Sequence, residues 1–245
     1  MEVINMESNL WCVNKKNIEN DIRVTLDVLS KEYKLEELEC DEFEKLKIQN
    51  MDYTVKCYKI AGVGHLTIMD SRETQGLQMV SIVVTPYYKN LPLLSSDFMY
   101  INEKRNFLVE IYDLVPERDE VYMKFIQKFQ QMKGELDLPD MKLKENWYDS
   151  IRPVCTAKIA TPEEDNVILT FIKDTFELFM EMEQSFDELD EEKRKCKWNI
   201  TQEYTDKLIN SGGPSTNLFK AVLGPDKTKE FFDNVFFGLK FNVPS

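Results

Sequence analysis

Five short runs between Tyr53 and Tyr112 are rich in apolar residues suited to strands, and short turns separate them. This spacing constrains the fold more than any other feature of the chain. The runs cover residues 53–60, 65–69, 77–84, 98–101 and 107–112, with turn material at 62–64, 72–76, 87–96 and 102–106. Links this short join antiparallel neighbours, because a parallel pair needs a crossover of about a dozen residues or more. One antiparallel sheet is therefore expected, with residues 102–106 as a hairpin link.

Helical patterns lie on either side. Residues 21–33 place Ile22, Leu26, Leu29 and Tyr33 on one face. Residues 36–50 are charged and weakly patterned, which predicts surface turns or a short helix. After the strands, residues 118–133 form an amphipathic helix with Tyr122, Phe125 and Phe129 inward. Residues 136–153 read as irregular and carry Trp147. Thr161-Pro162-Glu163-Glu164 is a helix start, with Thr as N-cap, Pro at the first position and acids in the first turn. The helix runs at least to Phe186 with Ile168, Ile172, Phe176 and Met180 in one stripe, and its charged continuation to Lys195 reads as a solvated end. Ser211-Gly212-Gly213-Pro214 breaks the pattern before two short helices at 217–223 and 227–239. A sheet between helical segments is an α+β layered domain. A single domain over residues 1–245 is expected, with a sheet core at about 53–113 and a helical part at about 117–240.

Composition narrows the function. The 15 Phe, 10 Tyr and 3 Trp suffice for one sizeable core. A formal charge of −13 disfavours nucleic acid and anionic membrane surfaces as partners. The five cysteines are scattered without metal-ligand or CxxC spacing, which suits reduced thiols in a cytoplasmic protein. The N-terminus lacks the character of a targeting peptide, and no apolar run is long enough for a membrane span. A monomer is expected.

No GxGxxG, GxxxxGK[ST] or GxSxG motif is present. A single histidine, His65, excludes a multi-histidine metal site, and its place at a strand start suits a structural or exposed role. The acids embedded in the apolar strand region are Asp97 and Asp113. Asp97 reads as the start of the strand Phe-Met-Tyr-Ile at the mouth of a hairpin, where a carboxyl beside apolar groups gains a raised pKa and can donate a proton. On the residues alone, a turn or capping carboxylate fits both positions as well.

The segment 77–116 resembles the ferredoxin-dependent bilin reductases. The resemblance is carried by an apolar strand ending at Pro86, by Leu91-Pro92-Leu93-Leu94-Ser95-Ser96-Asp97, and by Asp113-Leu114-Val115-Pro116. Leu218-Phe219-Lys220-Ala221-Val222-Leu223-Gly224, with the Phe-rich stretch 231–239, is similar to the family's closing helices. Trp147 and the Thr-Pro-Glu-Glu helix start fit as well. The resemblance implies a three-layer α/β/α sandwich, with a linear tetrapyrrole of the biliverdin type between sheet and C-terminal helices. It implies reduction by single electrons from reduced ferredoxin or flavodoxin, with no bound cofactor or metal and with Asp97 as proton donor.

Departures from the family pattern accompany this. Ser81 stands nearest the position of a histidine in phycocyanobilin-forming members, and their glutamate aligns near Met69 or Asp70. Gly212-Gly213-Pro214 stands where other members have an aspartate. Arg72 and Lys158 are the expected partners for substrate carboxylates, and Ser81 and Asp113 complete the expected substrate-binding set. Lys89, Lys104 and Arg105 are the expected cations for an acidic donor. A tetrapyrrole carrier or chaperone on the same fold is the alternative.

Overall fold

The chain was analysed as a computed structural model, which describes residues 2–101, 103–213 and 215–244. Its centre is one antiparallel sheet. The strands are β1 (Leu35–Leu38), β2 (Lys45–Ile48), β3 (Met51–Ile60), β4 (Gly64–Asp70), β5 (Gln78–Pro86), β6 (Leu93–Ile101), β7 (Lys104–Tyr112) and β8 (Val154–Ala160). From β3 to β8 each strand pairs with the next, while β1 and β2 share the outer side of β3. The short links seen in the sequence thus give a plain meander.

The helices are α1 (Glu2–Leu29), α2 (Glu120–Glu135), α3 (Asp165–Gln184), α4 (Glu191–Ser211), α5 (Thr216–Leu223) and α6 (Pro225–Glu230), the last running into a π-helical turn at Phe231–Phe236. They cover both faces of the sheet, and period-two alternation sorts the side chains between them. Val80, Ile82, Phe98, Phe107 and Val109 pack with residues of α1, α2 and α3. Tyr53, Met69, Val83, Leu93 and Tyr112 pack with Tyr204, Leu208, Phe219, Phe232 and Phe237 from the C-terminal elements. The result is the expected α+β architecture in three layers, α/β/α.

Several elements differ from expectation. The sheet extends beyond residues 53–113, because 36–50 holds β1 and β2 and because β8 adds a strand after α2. The inward positions of β8 are Val154, Thr156, Lys158 and Ala160, so polar residues interrupt the apolar alternation that marks a strand. α1 begins far before residue 21; its asparagine-rich first half looks unpromising, yet Trp11 Nε1 donates to Thr74 O at 3.0 Å and Ile18 is fully buried. The hairpin after β6 is tighter than 102–106, since pairing continues to Ile101 opposite Lys104.

The charged stretch 181–195 is not one helix. α3 stops at Gln184, and Asp190 caps a new helix by accepting from Lys193 N at 2.8 Å. The break carries the chain from one face of the sheet to the other. Leu189 N donates to Tyr88 O at 2.8 Å along this crossing, and the fully buried Lys197 donates to Leu91 O and Leu114 O. Burial lowers the pKa of Lys197 to about 7.

Candidate active site

A cleft of about 660 Å³ opens between the sheet and the C-terminal helices. That is the size range of small-molecule sites. Its floor is formed by the outward side chains of β5, β6 and β7, and its opposite wall by Tyr204, Leu208, Phe232, Phe236 and Phe237. Residues 211–213 and 215–217, together with residues from 141 to 152, form its rim, where Trp147 Nε1 donates to Gly212 O at 2.9 Å. Met51, Met69, Met79, Met99 and Met141 line it alongside the aromatic rings. Such a wall is apolar, polarizable and able to fit an extended planar ligand.

Asp97 lies in the middle of β6 rather than at a strand start, paired with Ser81 on β5 and Leu108 on β7. Alternation decides its direction. Phe98 and Tyr100 face the α1 and α3 layer, so Asp97 and its neighbours Ser95 and Met99 face the cleft. Two hydroxyls meet its carboxyl: Ser81 Oγ donates to Oδ1, and Ser95 Oγ donates to Oδ2 at 3.1 Å. Burial pushes its pKa up to about 6, the hydroxyls oppose that rise, and the Glu110 charge adds to it. A carboxyl with that pKa can hold a proton and release it near neutral pH.

Of the five residues singled out in the sequence, the structure brings Asp97 and Ser81 together in the cleft. The other three lie outside its walls. Arg72 forms a two-point pair with Asp70, through Nε at 2.7 Å and Nη2 at 3.0 Å, and lies 3.7 Å from Glu19 of α1. Lys158 sits on the opposite face of the sheet, donating to Leu138 O at 2.9 Å and pairing with Asp140 at 2.9 Å. Asp113 accepts from the Tyr122 hydroxyl and pairs with Arg118 at 3.0 Å. Met69 faces the cleft, whereas its neighbour Asp70 does not. Gly212 and Gly213 line the rim; Pro214 lies outside the described residues.

Of two other sequence expectations, one changes and one holds. Arg105 is no surface cation: it is 3% exposed and paired with Asp21 and Asp165. His65 is fully buried, as a structural histidine would be. Its Nε2 donates to Val235 O at 2.7 Å, its ring stacks on Phe241, and burial lowers its pKa to about 4.

The sequence reading missed Glu110, which lines the cleft floor beside Asp97. Its carboxylate pairs with Arg152 and accepts from the Tyr112 hydroxyl at 3.2 Å. The signal was available: in Phe-Leu-Val-Glu-Ile-Tyr the alternation puts Leu108, Glu110 and Tyr112 on one face, and hairpin pairing with β6 makes it the face of Asp97. Arg152 comes from a segment read as irregular and Tyr204 from residues 196–210, to which no element was assigned, so nothing local pointed to a common site.

Comparison with known proteins bears on the same region. The family model described as ferredoxin-dependent bilin reductase matches residues 17–238. No curated protein matches the sequence. Among solved structures, the chain is similar to phytochromobilin synthase from tomato in complex with biliverdin, with a TM-score of 0.69 at 14% identity, covering 89% of this chain and 82% of that one. At that identity the likeness is one of fold. Among the described residues, no helix is long and apolar enough to cross a membrane.

Proposed function

This chain belongs to the ferredoxin-dependent bilin reductase family, and from that premise we propose that it reduces a linear tetrapyrrole of the biliverdin type in the cleft, with Asp97 as proton donor. The observation that carries the proposal is a carboxyl with its pKa raised to about 6, aimed from mid-strand into an apolar cleft of about 660 Å³. Reducing one double bond takes two electrons and two protons. A reduced ferredoxin or flavodoxin supplies the electrons one at a time. Asp97 gives one proton from its carboxyl O–H to the tetrapyrrole, is left as a carboxylate, and is reprotonated from solvent; the second proton reaches the tetrapyrrole from solvent. A protonated tetrapyrrole accepts an electron more readily than a neutral one.

Ser81, bonded to Asp97, holds its carboxyl in place and contacts the substrate beside it. Lys144 lines the cleft at its rim and is exposed, so it is the cation placed to meet a substrate carboxylate. The charges of Arg72, Lys158 and Asp113 are engaged elsewhere. With Ser81 and the glycines 212 and 213 where companion acids or bases would act, one two-electron reduction is favoured over two in succession.

The test is anaerobic incubation with biliverdin, reduced ferredoxin and a reducing system, followed by absorbance. The proposal expects conversion of the bound biliverdin spectrum to that of a reduced bilin. Absence of any bound spectrum would overturn it. Tight binding without product would favour a carrier, a reading that the two side-chain-free glycines at the rim also support.

A further inference from the structure

Two carboxylates face the cleft among its described lining residues, Asp97 and Glu110, and the proposed function uses one of them. Their surroundings differ in kind. Asp97 is met by two neutral hydroxyls, Ser81 and Ser95. Glu110 is met by the Arg152 guanidinium, by the Tyr112 hydroxyl at 3.2 Å, and by the Cys155 thiol at 3.7 Å. Both side chains of the Glu110–Arg152 pair are 8% exposed. The guanidinium anchors the Glu110 carboxylate as one half of an ion pair, whereas Asp97 has no cation against it among its hydrogen-bond partners.

The register places these groups close together. Glu110 pairs directly across the strands with Ser95, and Ser95 donates to Asp97. Residues paired in this way have Cβ atoms about 5 Å apart. The carboxylate of this ion pair therefore projects from the strand position next to the proposed donor, where burial leaves charges weakly screened. Like charges that close disfavour ionising the second group.

We propose that Glu110 is a positioning residue for this site: held by Arg152 and set across the register from Ser95, its carboxylate holds the proton on Asp97 until substrate takes it. The inference rests on the reading of Asp97 as proton donor. It gives the two carboxylates opposite tasks, and the direction of the Asp97 pKa agrees with it, since Glu110 contributes to the rise. The other titratable groups facing Asp97 do not supply such a charge. Tyr53 on β3, Tyr112 on β7, Tyr148 and Tyr204 on α4 are all phenols whose pKa burial raises, so they stay neutral near pH 7. The cations are Arg152, which is paired, and Lys144, which is exposed at the rim.

The test needs no tetrapyrrole. In the ligand-free protein, the carbonyl stretch of the protonated Asp97 carboxyl is followed by infrared difference spectroscopy from pH 4 to 9, and assigned by its loss in Asp97→Asn. The wild-type midpoint should lie near 6. In Glu110→Gln it should fall by about one unit, and Glu110→Asp, which keeps the charge, should restore much of it. A folded Glu110→Gln protein with an unchanged midpoint would overturn the proposal. If that variant fails to fold because Arg152 is left unpaired, the double variant Glu110→Gln, Arg152→Gln removes both charges. A smaller fall in the same direction is expected there, because the Arg152 charge that favours ionised Asp97 is removed as well, and an unchanged midpoint would again overturn the role of Glu110. Because the readout is independent of turnover, failure of this inference and failure of the proposed reduction are separately visible.

Discussion

Asp97 couples function and stability through one proton. Its carboxyl ionises near 3.8 in an unfolded chain and near 6 in the folded one. Between those values the folded state holds the extra proton, so stability falls as pH rises, and the loss is complete above about pH 6. Asp97→Asn should then be more stable than the wild type at pH 8 by roughly 3 kcal/mol, with little difference near pH 4, as read by urea denaturation. A protein destabilised at both pH values would show that the ionised carboxylate is not the strained form. The same carboxyl should set the pH profile of turnover: kcat/KM should decline as pH rises through about 6, where the free enzyme loses its donor proton. His65 acts in the opposite sense. Its folded pKa of about 4 lies below the ordinary 6.5, so its contribution is complete above pH 6.5 and is lost as pH falls toward 4. The C-terminal segment closes on that ring: Gly238 has φ +68°, and a Cβ there would stand 2.2 Å from the His65 Cγ. Gly238→Ala should cost several kcal/mol in thermal or urea unfolding, and a neutral result would mean that the segment can move off the histidine.

Among the elements, the layer behind the sheet is tied by charge as well as by packing. Arg105 on β7 reaches Asp21 of α1 and Asp165 at the start of α3, and Tyr100 donates to Asp21 at 2.9 Å. Burial raises the Asp21 pKa to about 6, against the pull of Arg105. Removing one member of a buried pair leaves an uncompensated charge and costs about 3–5 kcal/mol. Arg105→Met should therefore be destabilised by about that amount at pH 8, and by less at pH 5, where Asp21 can take up a proton. A cost equal at both pH values would mean that the lost interaction is packing against Phe98 and Tyr100, whose rings lie 5.0 Å and 5.1 Å from the guanidinium carbon. Neither this role of Arg105 nor strand β8 was legible in the sequence. A cation beside a tight hairpin looks solvated, and a strand with Lys158 and Thr156 inward carries no apolar alternation. The meander from β3 to β7 was legible because its links are short and its α-facing residues are apolar.

At the scale of the molecule, the three-layer order followed from local patterns, whereas the cleft did not. Asp97 was found through a block of neighbours, and its orientation follows from the apolar Phe98 and Tyr100, which take the opposite face of the sheet. Glu110 was legible in principle by counting along β7. The far wall was not: Tyr204, Phe232 and Phe237 meet the sheet only because the chain crosses to the other face after α3, and that crossing depends on a helix end at Gln184 within a uniformly charged stretch. The account centres on protonation by Asp97 of a tetrapyrrole held between those walls. The most direct measurement is a single turnover under anaerobic conditions, with biliverdin bound in equal amounts to the wild type and to Asp97→Asn, and reduced ferredoxin added in excess. The account predicts a product spectrum from the wild type, and from the variant a bound spectrum that fails to proceed to product. Equal rates of product formation would contradict it.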